Sequence, residues 1–129
     1  MKGFIDDIEK LTTENNDYRR VLYTGKHLQL VLMALQPGEE IGEEVHETHD
    51  QFFRVESGAG AVWIDGKRTE IKDDDVVIVP AGARHNVAAT GDAPLKLYTL
   101  YGPPEHRDGV RHPTKADEQE EHFDGKTTE

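Results

Sequence analysis

The sequence has no cysteine in its 129 residues. Disulfides, zinc–thiolate sites, iron–sulfur clusters and a cysteine nucleophile are therefore excluded. Bases are scarce, with 15 Lys and Arg against 26 Asp and Glu and a formal net charge of −11. Nucleic-acid binding needs clustered Lys and Arg to neutralise phosphates, so this balance argues against such a partner. Long apolar runs are also missing. The longest, Leu30 to Leu35, is far short of the ~20 residues that span a bilayer. The first residues, Met1-Lys2-Gly3-Phe4-Ile5-Asp6-Asp7, lack the apolar stretch of a signal peptide. A soluble, cytoplasmic protein with no membrane partner is the expectation. What remains for chemistry is seven His, the carboxylates and the amides.

The length suits one domain, since domains typically run ~50–250 residues. The acids are unevenly spread. Residues 103–129 hold eight acids and four bases, whereas six acids fall between Glu39 and Asp50 with no base among them. An acidic run of this kind is either a solvated loop or a cation site. His46 and His49 lie inside it, which favours the cation site.

From residue 18 onward the pattern is β. Leu28 to Leu35 is a nearly continuous apolar strand stopped by Pro37-Gly38. Gln51 to Glu56 alternates, with Gln51, Phe53 and Val55 on one face and Phe52, Arg54 and Glu56 on the other. Ser57 to Gly60 reads as a turn. Residues 61–64 and 67–71 flank Asp65-Gly66, a strong hairpin signal. Strands at 76–79, 86–89 and 95–101 follow, separated by Pro80-Ala81-Gly82 and by Gly91 to Pro94. Short strands at about ten-residue spacing predict an all-β sandwich or barrel of six to eight strands. Ahead of them, Ile5, Ile8 and Leu11 fit either one helical turn or a short strand. The chain thus divides into an N-terminal segment (1–20), a β-barrel (21–102) and an acidic polar tail (103–129). The tail has only Val110 and Phe123 as large apolar residues. It cannot fold alone, so it is either disordered or packed along the barrel or a partner subunit.

Two segments carry the chemistry: Gly42 to Gly58, with His46, His49 and Gln51, and Asp74 to His85, with Pro80-x-Gly82-x-x-His85. Together they resemble the two motifs of the cupin superfamily, as found in small single-domain bacterial cupins. The first family motif is Gly, five residues, His-x-His, three or four residues, Glu, six residues, Gly. The second has Gly-Asp, then four residues, then Pro-x-Gly-x-x-His; here Asp74-Asp75 stands in place of Gly-Asp. The resemblance covers roughly residues 25–102 and implies a double-stranded β-helix, or jelly-roll, barrel.

Counting back from Gly58, the resemblance places Gln51 at the family's glutamate position, His46 at its second histidine and Glu44 at its first. His85 is the histidine of the second motif. The implied metal ligands are therefore Glu44, His46, Gln51 and His85, around a divalent ion (Fe, Mn, Zn or Ni). Strand alternation agrees, because residues two apart share a face, so Glu44 and His46 can point inward together. Two imidazoles and a carboxylate are also the donors of the facial triad that binds non-haem iron. The expected function is a metal-dependent enzyme, dioxygenase-like or isomerase-like, acting on a small oxygen-rich molecule, with Glu44 as general base if it is not a ligand. The alternatives are a non-catalytic module that binds a small ligand, or a sugar-phosphate isomerase by analogy of fold.

Several other residues border this site. His49 lies three residues from His46, so a regular strand turns it away, whereas a bend at 47–50 turns it in. Tyr98 and Tyr101 fit either the cavity or the core. Arg84 fits either an anionic substrate or plain surface, and Trp63 the core or an interface. His106, His112 and His122 have no ligand spacing. Apolar residues on both faces of 28–35 and 95–101 predict that a second subunit covers one sheet, making a homodimer.

Overall fold

A computed structural model describes residues 1–129. The chain begins with helix α1 (Ile8–Glu14), followed by β1 (Arg19–Thr24), β2 (Gln29–Leu35), β3 (Glu44–Val45), β4 (Asp50–Ser57), β5 (Ala59–Ile64), β6 (Lys67–Lys72), β7 (Val76–Val79), β8 (Arg84–Ala89), β9 (Leu95–Gly102) and β10 (Arg111–His112). A short 3₁₀ turn covers Lys115–Asp117. Ten strands form instead of six to eight, because β3 and β10 are two-residue pairings that carry no periodic signal of their own. No helix is long and apolar enough to cross a membrane.

The strands form two antiparallel sheets, ordered β10-β1-β2-β9-β4-β7 and β3-β8-β5-β6. Their facing sides enclose the core, built from Val31, Met33 and Leu35 of β2, Phe53 and Val55 of β4, Leu95 and Leu97 of β9, and Val62 and Val87 of the smaller sheet. Mostly β content in two packed antiparallel sheets fits the all-β architecture expected from the strand spacing and the jelly-roll arrangement that the resemblance implies. The alternation read in β4 is seen directly: Gln51, Phe53 and Val55 are buried, while Phe52, Arg54 and Glu56 are half-buried on the other side.

Local chemistry explains the corners. Asp65 and Gly66 both have positive φ (48° and 84°), the requirement of the type I′ turn that joins β5 to β6. The turn read over Ser57 to Gly60 narrows to Gly58 alone, because strand pairing runs up to it on both sides. Gly58 has φ 101°, and a Cβ there would lie 2.5 Å from the Pro94 carbonyl oxygen. At the N-terminus, Ile8 and Leu11 belong to a helix, capped by the Asp7 carboxylate, which accepts from the Lys10 amide.

The polar tail packs against the barrel. Val110 is buried, and β10 pairs with β1, matching Arg19 to His112. The Arg107 amide donates to the Glu121 carbonyl (2.8 Å) and the Phe123 amide to the Glu105 carbonyl (3.0 Å), so residues 105–107 and 121–123 form a small closed loop. The Thr128 amide donates to the Thr24 carbonyl. Backbone pairing, the buried apolar residue Val110 and side-chain bonds from Gln29 and Arg19 hold this segment, which its composition alone does not reveal.

Candidate metal centre

The two motifs meet through the backbone. The Gly82 amide donates to the His46 carbonyl (2.9 Å), and the Ala81 amide donates to the Asp50 carboxylate (2.9 Å). Glu44 on β3 stands directly opposite His85 on β8. The His46 and His85 rings lie 5.3 Å apart, centre to centre. Gln51 projects from β4 toward the same interior and is 3% exposed. All four residues from the resemblance thus belong to one end of the barrel.

Their polar atoms are prepared as donors. The His85 Nδ1 lies 3.1 Å from the Ala83 carbonyl, which can only accept, so Nδ1 is the donor there and Nε2 is the nitrogen left for another partner. The Gln51 Nε2 donates to the Thr99 hydroxyl (3.0 Å), leaving Oε1 buried with no partner. His46 Nε2 is likewise buried and unpartnered. It lies 3.3 Å from Glu44 Oε2, in a contact without hydrogen-bond geometry. An orphaned buried carbonyl costs about 1–3 kcal/mol, which a cation would offset. No three His, Asp or Glu side chains converge closely enough to form a metal cluster, Glu44, His46 and His85 included.

Electrostatics favour an ion pair between Glu44 and His46, whose Nε2 proton a metal ion would have to displace. Burial pushes the Glu44 carboxyl up, but contact with His46 and the charges of His46, Arg19 and His85 outweigh it and hold it below the usual carboxylate range. Contact with Glu44 raises His46 despite burial, and Glu105 adds to the rise.

Other residues settle into distinct places. His49 turns inward at the rim, 5.8 Å from the His46 ring, with Nε2 3.2 Å from Glu105 and 3.0 Å from the Pro104 carbonyl. Tyr101 is buried edge-on to His46 at 5.9 Å, while Tyr98 packs with Phe52 on the outer face. Arg84 pairs with Glu43 at the surface (2.8 Å), and Arg68 sits over the half-buried Trp63 ring. His106 reaches the site beside Tyr101, and burial followed by nearby cations pushes it down to about 3.

Two residues escape sequence reasoning altogether. Glu105, from the tail, lies among His46 (3.7 Å), His49 (3.2 Å) and His122 (3.6 Å). Arg19, the first residue of β1, lines a cavity of about 340 Å³ together with Glu44, Glu105, His106, Glu118 and His122. No spacing rule links residue 19 or 105 to the motifs; only the strand order brings them there.

The cupin domain family (Cupin_2) matches residues 31–101, and this chain is a cupin. It is 46% identical over 122 residues to the uncharacterised protein YrkC of Bacillus subtilis, covering 90% of this chain and 66% of YrkC. It is 37% identical over 118 residues to the uncharacterised protein L612 of Acanthamoeba polyphaga mimivirus, covering 85% and 73%. The crystal structure of BH2720 from Bacillus halodurans superposes with a TM-score of 0.88 at 46% identity, covering 90% and 92% of the two chains.

Proposed function

We propose that this cupin binds a divalent metal through Glu44, His46, Gln51 and His85, and acts as a metal-dependent enzyme on a small, oxygen-rich substrate held in the barrel mouth. The observation that carries this reading is the buried, unpartnered Gln51 Oε1, at a position where the family keeps a ligand and on the same interior as His46 and His85. A hydrophobic interior does not leave such atoms without a reason. When bound, a divalent ion would supply Lewis-acid polarisation of an oxygen ligand, serving either dioxygenase-like or isomerase-like chemistry.

The chain's own groups constrain the rest. Glu44 is held ionised, which makes it a better ligand than base, because a carboxylate with a lowered pKa takes protons weakly. The Ala83 carbonyl holds the His85 ring in one orientation. Tyr101 and His106 wall the site with a phenol and a neutral imidazole. A cavity of about 340 Å³ adjoins the centre through Glu44, at the small end of the ~300–1,000 Å³ usual for metabolite sites.

A second copy of the chain would cover the outer face of the larger sheet. Leu30, Leu100, Phe52 and Ile78 stand in one cross-strand row over β2, β9, β4 and β7, and Ile78 is 64% exposed. That continuous apolar row supports a homodimer.

Elemental analysis of protein purified without chelator tests the metal reading. About one equivalent of a transition metal is expected in the wild type and almost none in His46→Ala. No stoichiometric metal in the wild type, even after incubation with Fe, Mn, Zn and Ni salts, would reject it. Stoichiometric metal without turnover of any oxygen-rich substrate would favour a ligand-binding module over an enzyme.

A further inference from the structure

Arg19 is the only Arg or Lys lining the cavity that also contains Glu44, and its side chain is 5% exposed. Its only protein hydrogen-bond contacts are made through Nη1, to Glu118 Oε2 at 2.8 Å and to His112 Nδ1 at 3.4 Å. Nε is sealed and has no partner, and Nη2 has no protein acceptor. A guanidinium matches a carboxylate with two parallel bonds, yet Glu118 engages only one of its nitrogens. The partners also differ in anchoring. Arg19 is fixed in β1, paired to His112, whereas Glu118 follows a three-residue 3₁₀ turn in the tail and is 35% exposed.

The other carboxylates at the rim are already matched: Glu43 pairs with Arg84, and Glu121 with Arg107. Glu105 lies among three histidines. Arg19 is therefore the cation in the mouth whose partner is replaceable. A buried guanidinium cannot be left bare, because breaking a buried pair is strongly unfavourable. A ligand carboxylate that takes the place of Glu118 keeps Arg19 paired, and the added negative charge is met by release of the Glu118 side chain, already 35% exposed, to solvent.

We infer that Arg19 is the recognition site for the carboxylate of a small organic acid, and that Glu118 of the tail holds this place until the ligand displaces it. The inference deepens the metal reading and rests on it in one respect: a second oxygen of the same acid would lie toward Glu44, the one proposed ligand that lines this cavity. The ligand class is thus a small acid bearing a further carbonyl or hydroxyl oxygen.

NMR titration of ¹⁵N-labelled full-length protein with acetate tests the carboxylate site, with acetamide as the neutral control. Acetate is the smallest probe carrying the group in question, so size does not exclude it. Saturable binding of acetate but not acetamide is expected. Glu118→Gln, which removes the competing charge, should bind acetate at least threefold more tightly, and Arg19→Gln at least tenfold more weakly. Equal response to acetate and acetamide, or unchanged affinity in Glu118→Gln, overturns the inference; Glu118→Gln decides alone should Arg19→Gln fail to fold. The titration is run on chelator-treated and metal-loaded protein. If tighter acetate binding in Glu118→Gln survives where no metal is taken up, the metal reading fails and this one stands. Metal uptake through His46 with no effect of Glu118→Gln on acetate overturns this one alone.

Discussion

Glu44 and His85 stand opposite one another in the register of β3 and β8. This pairing joins the acidic run of the first motif to the histidine of the second, 41 residues later by number. If both are ligands, Glu44→Ala should weaken metal binding by at least about tenfold, measured by competition with a chromogenic chelator. Gln51→Glu should act in the opposite direction. The added charge should tighten metal binding by about tenfold, while the buried carboxylate lowers the stability of metal-free protein by roughly 1–3 kcal/mol in urea unfolding.

His106 should make the fold acid-sensitive. Its pKa falls to about 3 in the folded chain, chiefly through burial, from an ordinary value of 6.5. Between those values the unfolded chain binds the proton and the folded chain does not. Stability is therefore greatest above the ordinary value and is lost as pH falls toward 3. The slope from one such group approaches about 1.4 kcal/mol per pH unit. Replacing His106 with Phe should flatten urea-derived stability between pH 6 and 4 relative to the wild type. An unchanged slope would assign the acid sensitivity to the carboxylates.

Two turns should respond oppositely to substitution. Gly58→Ala forces a Cβ against the Pro94 carbonyl at positive φ, so a loss of about 2–4 kcal/mol is expected in chemical denaturation. Asp74 has φ 73°, although it is not glycine, and occupies the position where the cupin motif has glycine. Asp74→Gly should therefore be neutral or stabilising by up to about 1 kcal/mol, since its ion pair with Arg54 is exposed and worth little.

Ile78→Lys places a charge in the apolar row of the larger sheet. Light scattering at micromolar concentration should give twice the chain mass for the wild type and a single chain for the variant, with the circular dichroism unchanged. A monomeric wild type would remove the need for a partner on this face.

Local sequence determined the strands that alternate and the turns with special backbone angles. Gln51, Phe53 and Val55 had to share a face because side chains alternate along a strand, and Asp65-Gly66 had to turn because both residues tolerate positive φ. The two motifs likewise marked Glu44, His46, Gln51 and His85. The tertiary structure alone decided what surrounds them. It turned His49 inward, brought Tyr101 rather than Tyr98 to the histidines, and carried Arg19, Glu105 and His106 to the cavity. The reason is physical. A strand's own pattern specifies which face is buried, whereas neighbours across sheets depend on strand order. The tail that supplies Glu105 and Glu118 is held by backbone pairing and by side-chain bonds from Gln29 and Arg19, which leave no trace in its composition. The absence of cysteine still limits the donors to imidazole, carboxylate and amide, and the fold decided which of them meet.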